Sequence, residues 1–117
     1  MKEILILGTG KMAHNIGLFF LRNDCKVCWV SRDTERAESF ASKIKKNVRR
    51  LSLVLDKSEN SFNIYVCDII KIPRNKYDLI LESVNEDLDQ KKEIIRQIDY
   101  LLEPTTILAS NSSSFLP

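Results

Sequence analysis

The sequence predicts an α/β fold in which helices cover both faces of a doubly wound parallel sheet. Short apolar segments that are typical of buried strands alternate with segments of helical periodicity along the chain. The first strand runs directly into a glycine-containing turn and a helix. Because the chain has 117 residues and no internal repeat, we expect one domain with a hydrophobic core, spanning residues 1–117.

Five segments have the composition of strands. Two of them contain the cores Ile4–Leu7 and Leu79–Leu81, which are apolar throughout, as is typical of strands buried on both faces. Right-handed crossovers between such strands predict the sheet order 3-2-1-4-5. The predicted strands are Lys2–Leu7, Lys26–Val30, Phe62–Val66, Asp78–Val84 and Thr106–Ala109.

Three segments between the strands show helical periodicity. Lys11–Arg22 forms the first helix, and the second continues from a cap at Asp33 or Thr34 to about Leu53. The third helix, Asp87–Leu102, ends before a proline. The residues expected to face the sheet are Ile16, Phe19 and Phe20 in the first helix, Ala37, Phe40, Ala41 and Ile44 in the second, and Leu88, Ile94, Ile95, Ile98 and Leu102 in the third.

Composition argues against several classes of protein. Hydrophobic residues make up 44% of the chain, charged residues 29%, and the net charge is only +2 with both signs mixed. This balance disfavours a nucleic-acid-binding stripe and a polybasic membrane patch. No apolar run reaches the roughly 18 residues needed to span a bilayer, and no signal-peptide pattern is visible. We therefore expect a cytoplasmic protein that binds neither nucleic acid nor membrane.

The three cysteines, Cys25, Cys28 and Cys67, do not form the pattern of a disulfide scaffold or a metal site. Their number is odd, and the Cys-x-x-Cys spacing at 25–28 lacks the second pair that a zinc ribbon requires. We expect reduced and partly buried thiols, and no metal site.

The turn after the first strand has the spacing of a dinucleotide-binding turn, as in a Rossmann-type domain. Its first glycine permits a tight turn, its second lets the backbone approach a phosphate, and the small alanine lets the helix pack closely on the strand. The alternative is a domain of the same shape that binds nothing, or another nucleotide. The expected cofactor-binding residues of this turn are Gly8, Thr9, Gly10, Lys11, Met12 and Ala13.

The end of the second strand bears on the choice of cofactor. NAD-binding domains place a carboxylate there to accept hydrogen bonds from the ribose, whereas this chain has Ser31 and Arg32. A serine hydroxyl can donate to a 2′-phosphate, and a guanidinium can form charge-assisted bonds with it. The cofactor is thus NAD or NADP, with NADP favoured. The alternative is that Arg32 is a solvated charge and that Asp33 binds the ribose.

Two further motifs lie in the second half of the chain. Glu82-Ser83-Val84-Asn85-Glu86 is followed by a lysine at position 91, and Ser110-Asn111-Ser112-Ser113-Ser114 ends the chain's last strand. With the glycine turn, they make nearly the whole chain resemble the NAD-binding domain of the 3-hydroxyacyl-CoA dehydrogenase family. That family typically has Gly-x-Gly-x-Met-Gly, then Glu-(Ala/Ser)-Val-x-Glu-x-Leu-x-x-Lys, then Ser-Asn-Thr-Ser-Ser. The chain departs from it at Ala13, Asn15, Ser31 and Ser112.

The resemblance implies roles for four residues. Glu86 and Lys91 would lie near the nicotinamide ribose and the phosphates. Ser113 would be at the active site, hydrogen-bonding near the nicotinamide and the substrate oxygen, and Asn111 would help to hold that turn. The residues taken alone leave open a helix-capping Glu86, a solvated Lys91 and a plain serine-rich loop.

The resemblance also implies an activity, namely hydride transfer between a 3-hydroxyacyl thioester of CoA or acyl carrier protein and nicotinamide. The family's catalytic histidine and its partner glutamate follow the serine-rich motif, whereas the chain's one histidine, His14, lies beside the glycine turn, at the surface or near the phosphates. We therefore expect a domain truncated before the family's helical C-terminal domain, inactive by itself, and a monomer or weak dimer. The alternatives are a non-catalytic nucleotide-binding module and an NADP-dependent reductase of a different substrate.

Overall fold

A computed structural model describes residues 1–83 and 88–110, and in them all strands of a five-stranded sheet run parallel. The strands are β1 Glu3–Leu7, β2 Lys26–Ser31, β3 Ile64–Asp68, β4 Leu79–Glu82 and β5 Ile107–Ser110. The helices are α1 Lys11–Arg22, α2 Thr34–Leu55 and α3 Leu88–Gln97. Short 3₁₀ turns occupy Glu59–Ser61, Ile69–Lys71 and Asp99–Leu101. The sheet order β3-β2-β1-β4-β5 confirms the predicted doubly wound fold.

The two faces of the sheet carry separate parts of the core. Alternate side chains of β1 and β2, including Ile6 and Trp29, pack with α1 and α2 on one face. The intervening side chains, including Leu5 and Val30, pack on the other face with Ile98, at the end of α3. Helices therefore cover both faces. Within the described residues, no helix is long and apolar enough to cross a bilayer.

Three predicted boundaries were displaced by local hydrogen bonds. β3 begins at Ile64, two residues later than predicted, because the N–H of Phe62 donates to the carbonyl of Glu59 at 3.2 Å and ends the preceding 3₁₀ turn there. α3 ends at Gln97 because the N–H of Ile98 is shared between the carbonyls of two preceding residues, which tightens the chain into a 3₁₀ turn. Thr106 lies before β5, since its hydroxyl donates to the carbonyl of Tyr77 at 2.8 Å.

The prediction for the buried faces was right for α2 and partly wrong for α1 and α3. Phe19 was expected to face the sheet, but it is 61% exposed. The buried residues of α1 are Ala13, Gly17 and Leu21, spaced four residues apart. Small residues at two of these positions let α1 approach the sheet closely, and this contact determines which face is buried. In α3, Leu88 is likewise exposed rather than buried.

The cysteines are free thiols on the sheet and in the turn before it. Cys28 on β2 and Cys67 on β3 are buried, with their Sγ atoms 3.8 Å apart, and Cys25 is half-buried. The hydrogen bond with Cys67, together with burial, raises the pKa of the Cys28 thiol. A buried thiol with a raised pKa is a poor nucleophile, so we assign Cys28 to packing.

Candidate functional site

The carboxyl ends of the five parallel strands lie at one edge of the sheet. The strand order changes direction at β1, which has β2 on one side and β4 on the other. Gly8 follows β1 with φ of 132°, a backbone conformation that favours glycine, and its N–H donates to the carbonyl of Val30 at 2.8 Å. Gly10 is the N-cap of α1; its first turn contains no acidic residue, and none of the side chains that the structure describes caps this helix. The helix start can therefore offer backbone N–H groups to an anion.

Space for such an anion is present at Gly10. A Cβ built there meets no atom of residues 1–83 or 88–110 within 4 Å, so the second glycine of the turn borders open space in that part of the structure. Of the six residues of this turn that were predicted to bind cofactor, Gly8 and Ala13 are buried, Thr9 is half-buried, and Gly10, Lys11 and Met12 are exposed. An uncapped helix start beside this space fits the pyrophosphate of a dinucleotide.

The position of α1 is set by Trp29, which lies beneath it with no exposed surface. The indole Nε1 donates to the carbonyl of Ala13 at 2.8 Å. A Cβ built on Gly17 would lie 1.9 Å from Cζ2 of this indole. The close helix–strand contact that the sequence placed at Ala13 therefore also requires a glycine one turn later. The sequence analysis did not identify Gly17 as a residue that positions α1. Its signal was a glycine four residues after Ala13, on the same side of the helix.

The end of β2 holds Ser31 in a backbone turn. Its hydroxyl donates to the carbonyl of Asp33 at 2.7 Å and accepts from the N–H of the same residue at 3.2 Å. The carboxylate of Asp33 caps α2 by accepting from the N–H of Arg36 at 2.8 Å. Arg32 follows β2 directly and is exposed.

A second carboxylate at this end of the sheet was not predicted as a site residue. Asp68 ends β3 directly beside Ser31 and is buried. Its Oδ2 accepts from the hydroxyl of Thr34 at 2.9 Å, and its Oδ1 accepts from the N–H of Ile70 at 3.0 Å. The bond from Thr34 lowers the pKa of Asp68 from its ordinary value. The sequence signal was an acidic residue directly after the apolar segment Ile64–Cys67.

The ends of β4 and β5 are joined to α3 by a buried ion pair. Lys91 Nζ lies 2.7 Å from Glu82 Oε2, and the hydroxyl of Ser110 donates to Glu82 Oε1 at 2.7 Å. Glu82 is 1% exposed and Lys91 4%. A solvated Lys91, one of the alternatives from the sequence, is therefore wrong. Glu82 was not predicted to have a role. Three predicted site residues, Glu86, Asn111 and Ser113, lie outside the described residues.

His14 is half-buried, and its imidazole contacts residues of α2. Asn47 Nδ2 is 2.7 Å from His14 Nε2 and donates to that nitrogen when it is unprotonated. The ring of Phe40 packs edge-on against the imidazole at 5.4 Å between centroids. Burial, with a smaller contribution from the positive charge of Lys43, lowers the pKa of His14. These contacts show that the His14 side chain packs where α1 and α2 meet.

The lowered pKa of His14 predicts that stability falls with acidification. Below about pH 6.5, the unfolded chain binds a proton that the folded chain does not, so the free energy of unfolding decreases as pH falls and levels off below the folded pKa. Urea unfolding from about pH 7.5 to about pH 5.5 measures this slope. His14→Gln keeps a hydrogen-bonding group and is expected to have a shallower slope. Equal slopes in the two proteins would contradict the prediction.

Comparison with known proteins agrees with this geometry. A family model described as "3-hydroxyacyl-CoA dehydrogenase, NAD binding domain" matches residues 3–117. The L-carnitine dehydrogenase of Oceanobacillus iheyensis is 30% identical over 122 residues, covering 100% of this chain and 38% of that protein. A probable 3-hydroxybutyryl-CoA dehydrogenase of Bacillus subtilis is 27% identical, covering 97% of this chain and 41% of that protein.

Solved structures show the same fold. The crystal structure of 3-hydroxybutyryl-CoA dehydrogenase from Escherichia coli matches with a TM-score of 0.76 at 18% identity, over 96% of this chain and 25% of that chain. The chain spans less than half the length of the relatives that it matches. Because the family model covers nearly all of its residues, the chain belongs to the 3-hydroxyacyl-CoA dehydrogenase family, as the NAD-binding domain of that family.

Proposed function

We propose that this chain is the coenzyme domain of an oxidoreductase that transfers hydride between a 3-hydroxyacyl thioester, of CoA or acyl carrier protein, and nicotinamide. The observation that supports the proposal best is the turn from Gly8 to Gly10. It joins a positive-φ glycine, an uncapped helix start and open space at the point where the strand order reverses.

In this proposal the coenzyme spans the carboxyl edge of the sheet. The backbone of the glycine turn binds the pyrophosphate, and Arg32 lies on the adenosine side, beyond β2. Lys91 lies on the nicotinamide side, with Glu86, Asn111 and Ser113 assigned there by family likeness. When bound, nicotinamide accepts or gives the hydride, and the chain contributes binding and orientation.

The proton of the substrate hydroxyl needs an acceptor, and His14 is unsuited to this task because it packs between two helices against Asn47 and Phe40. We therefore propose that the 117-residue chain binds coenzyme without turnover. In a longer protein, the family's histidine and glutamate would supply the acid–base step. The second candidate is a nucleotide-binding module without catalysis, and it is favoured by the packing of His14 between two helices.

Coenzyme binding is tested by titrating the chain with NADH and NADPH while following energy transfer from Trp29, its one tryptophan, to the reduced nicotinamide. Saturable transfer is expected because the indole packs under α1, which carries the glycine turn. Absence of transfer and of calorimetric binding for both coenzymes would overturn the proposal. Catalysis is tested by giving a full-length protein 3-hydroxyacyl thioesters of several chain lengths. Coenzyme binding without turnover on any of them would favour the second candidate.

A dehydrogenase of another hydroxy compound is a third candidate. It is favoured by the 30% identity with a protein named as an L-carnitine dehydrogenase. The same assay distinguishes it, because the full-length protein would then reduce coenzyme with free hydroxy acids and leave the thioesters unchanged.

We propose that NADPH binds more tightly than NADH, and that Arg32 carries the preference. Arg32 is exposed at the end of β2, next to Ser31, where a guanidinium can form charge-assisted hydrogen bonds with a 2′-phosphate. A charge-assisted hydrogen bond contributes about 1.5–3 kcal/mol, so Arg32→Asp is expected to lower the NADPH/NADH affinity ratio about tenfold to a hundredfold. Arg50→Asp, the same charge change late in α2, is the matched control. An unchanged ratio in Arg32→Asp would refute this assignment.

A further inference from the structure

Glu82 joins three elements of the fold through one carboxylate. It is the last residue of β4, and its register partner Ser110 is the last residue of β5. One carboxylate oxygen accepts from Ser110 and the other from Lys91 on the first turn of α3. The carboxylate is therefore the common contact of two strand ends and a helix start, all at the edge where the coenzyme is proposed to bind.

Stability alone does not account for this arrangement. Removing two ions from water is costly, and apolar side chains of similar volume often stabilise a core as well as a buried ion pair does. The pair Glu3–Lys26 shows the difference, since it lies at the opposite edge of the sheet with both side chains partly exposed and 3.5 Å between the charged atoms. The buried pair is shorter, at 2.7 Å, and its two side chains are only 5% and 2% exposed.

We propose that Glu82 is a positioning residue for the coenzyme, acting through Lys91 and Ser110. This inference rests on the proposed function. The carboxylate holds the Lys91 ammonium at the carboxyl edge and holds the end of β5 against β4. If the carboxylate becomes neutral, the buried ammonium loses the negative charge that lies 2.7 Å away, and the ion pair no longer fixes its position at the carboxyl edge. Both the cation and the strand end then leave the positions that face the coenzyme, and affinity falls.

The test is a double-mutant cycle on NADH affinity, built from Glu82→Gln, Lys91→Met and the double variant, with urea unfolding of each protein measured in parallel. Glu82→Gln is expected to weaken NADH binding about tenfold or more under conditions where the variant is folded. Because Glu82 acts through Lys91, the same change is expected to cost much less affinity in the Lys91→Met background. Glu82→Asp, which retains the charge, is expected to recover part of the loss.

Glu3→Gln is the matched control and is expected to leave NADH affinity unchanged, because it removes an ion pair far from the carboxyl edge. If Glu82→Gln does not fold, Ser110→Ala keeps the ion pair, removes one hydrogen bond to the carboxylate, and is expected to weaken NADH binding by a smaller factor. A folded Glu82→Gln or Ser110→Ala that binds NADH as the wild type does overturns the positioning role alone. A wild-type chain that binds neither NADH nor NADPH overturns the proposed function and this inference together.

Discussion

Gly17→Ala is expected to lower the free energy of unfolding by about 3 kcal/mol, at the upper end of the usual cost of overpacking. The added Cβ would lie 1.9 Å from Cζ2 and 2.4 Å from Cε2 of Trp29. The indole has no exposed surface, and its Nε1 donates to the carbonyl of Ala13, so it cannot move aside without losing packing and a hydrogen bond. Urea unfolding followed by circular dichroism measures the change.

Two variants make this prediction specific. Gly10→Ala adds the same methyl group where none of the described residues lies within 4 Å and φ is −79°, so we expect a nearly unchanged free energy of unfolding. That variant should instead weaken coenzyme binding, because its Cβ occupies the space proposed for the pyrophosphate. In the Trp29→Phe background, which has a smaller ring, Gly17→Ala is expected to cost less. Wild-type stability in the Gly17→Ala protein would contradict the close helix–strand contact.

Phe40→Ala is expected to destabilise the chain by about 3–5 kcal/mol, the range for removing a buried aromatic ring. Phe40 is 4% exposed and packs edge-on against both His14 and Trp29, at 5.4 Å between centroids in each case. The ring therefore connects α2 with α1 and with β2. Its loss leaves a cavity beneath the helix that carries the glycine turn. Urea unfolding measures the effect, and coenzyme titration of the folded variant reports whether the turn has shifted.

Phe19→Ala is the matched control for Phe40→Ala, since it removes the same side chain from a position that is 61% exposed. Exposed substitutions usually change stability by about 0.5 kcal/mol or less, so a large difference between the two variants is expected. Phe40→Leu, which keeps most of the apolar volume, should be intermediate. Similar losses in Phe19→Ala and Phe40→Ala would show that α1 buries the face that its sequence had suggested.

The burial of α1 shows why the sequence alone chose the wrong face. Apolar residues occur all around this helix, so its periodicity is compatible with more than one buried face. The choice was made by Trp29 on β2, which fits only where Ala13 and Gly17 leave room. That contact joins residues of two different elements, and spacing within one helix carries no information about it.

The sequence by itself determined the doubly wound fold, the strand order, the glycine turn and the family. These follow from local patterns, such as apolar strand cores, helical periodicity and glycine spacing, together with the handedness of crossovers. Only the tertiary structure decided that His14 packs against Asn47 and that Glu82 holds both Lys91 and Ser110. Glu82 and Ser110 are 28 residues apart, and they meet because two strands pair in register. A side-chain hydrogen bond of that kind depends on positions in space that adjacent residues do not encode.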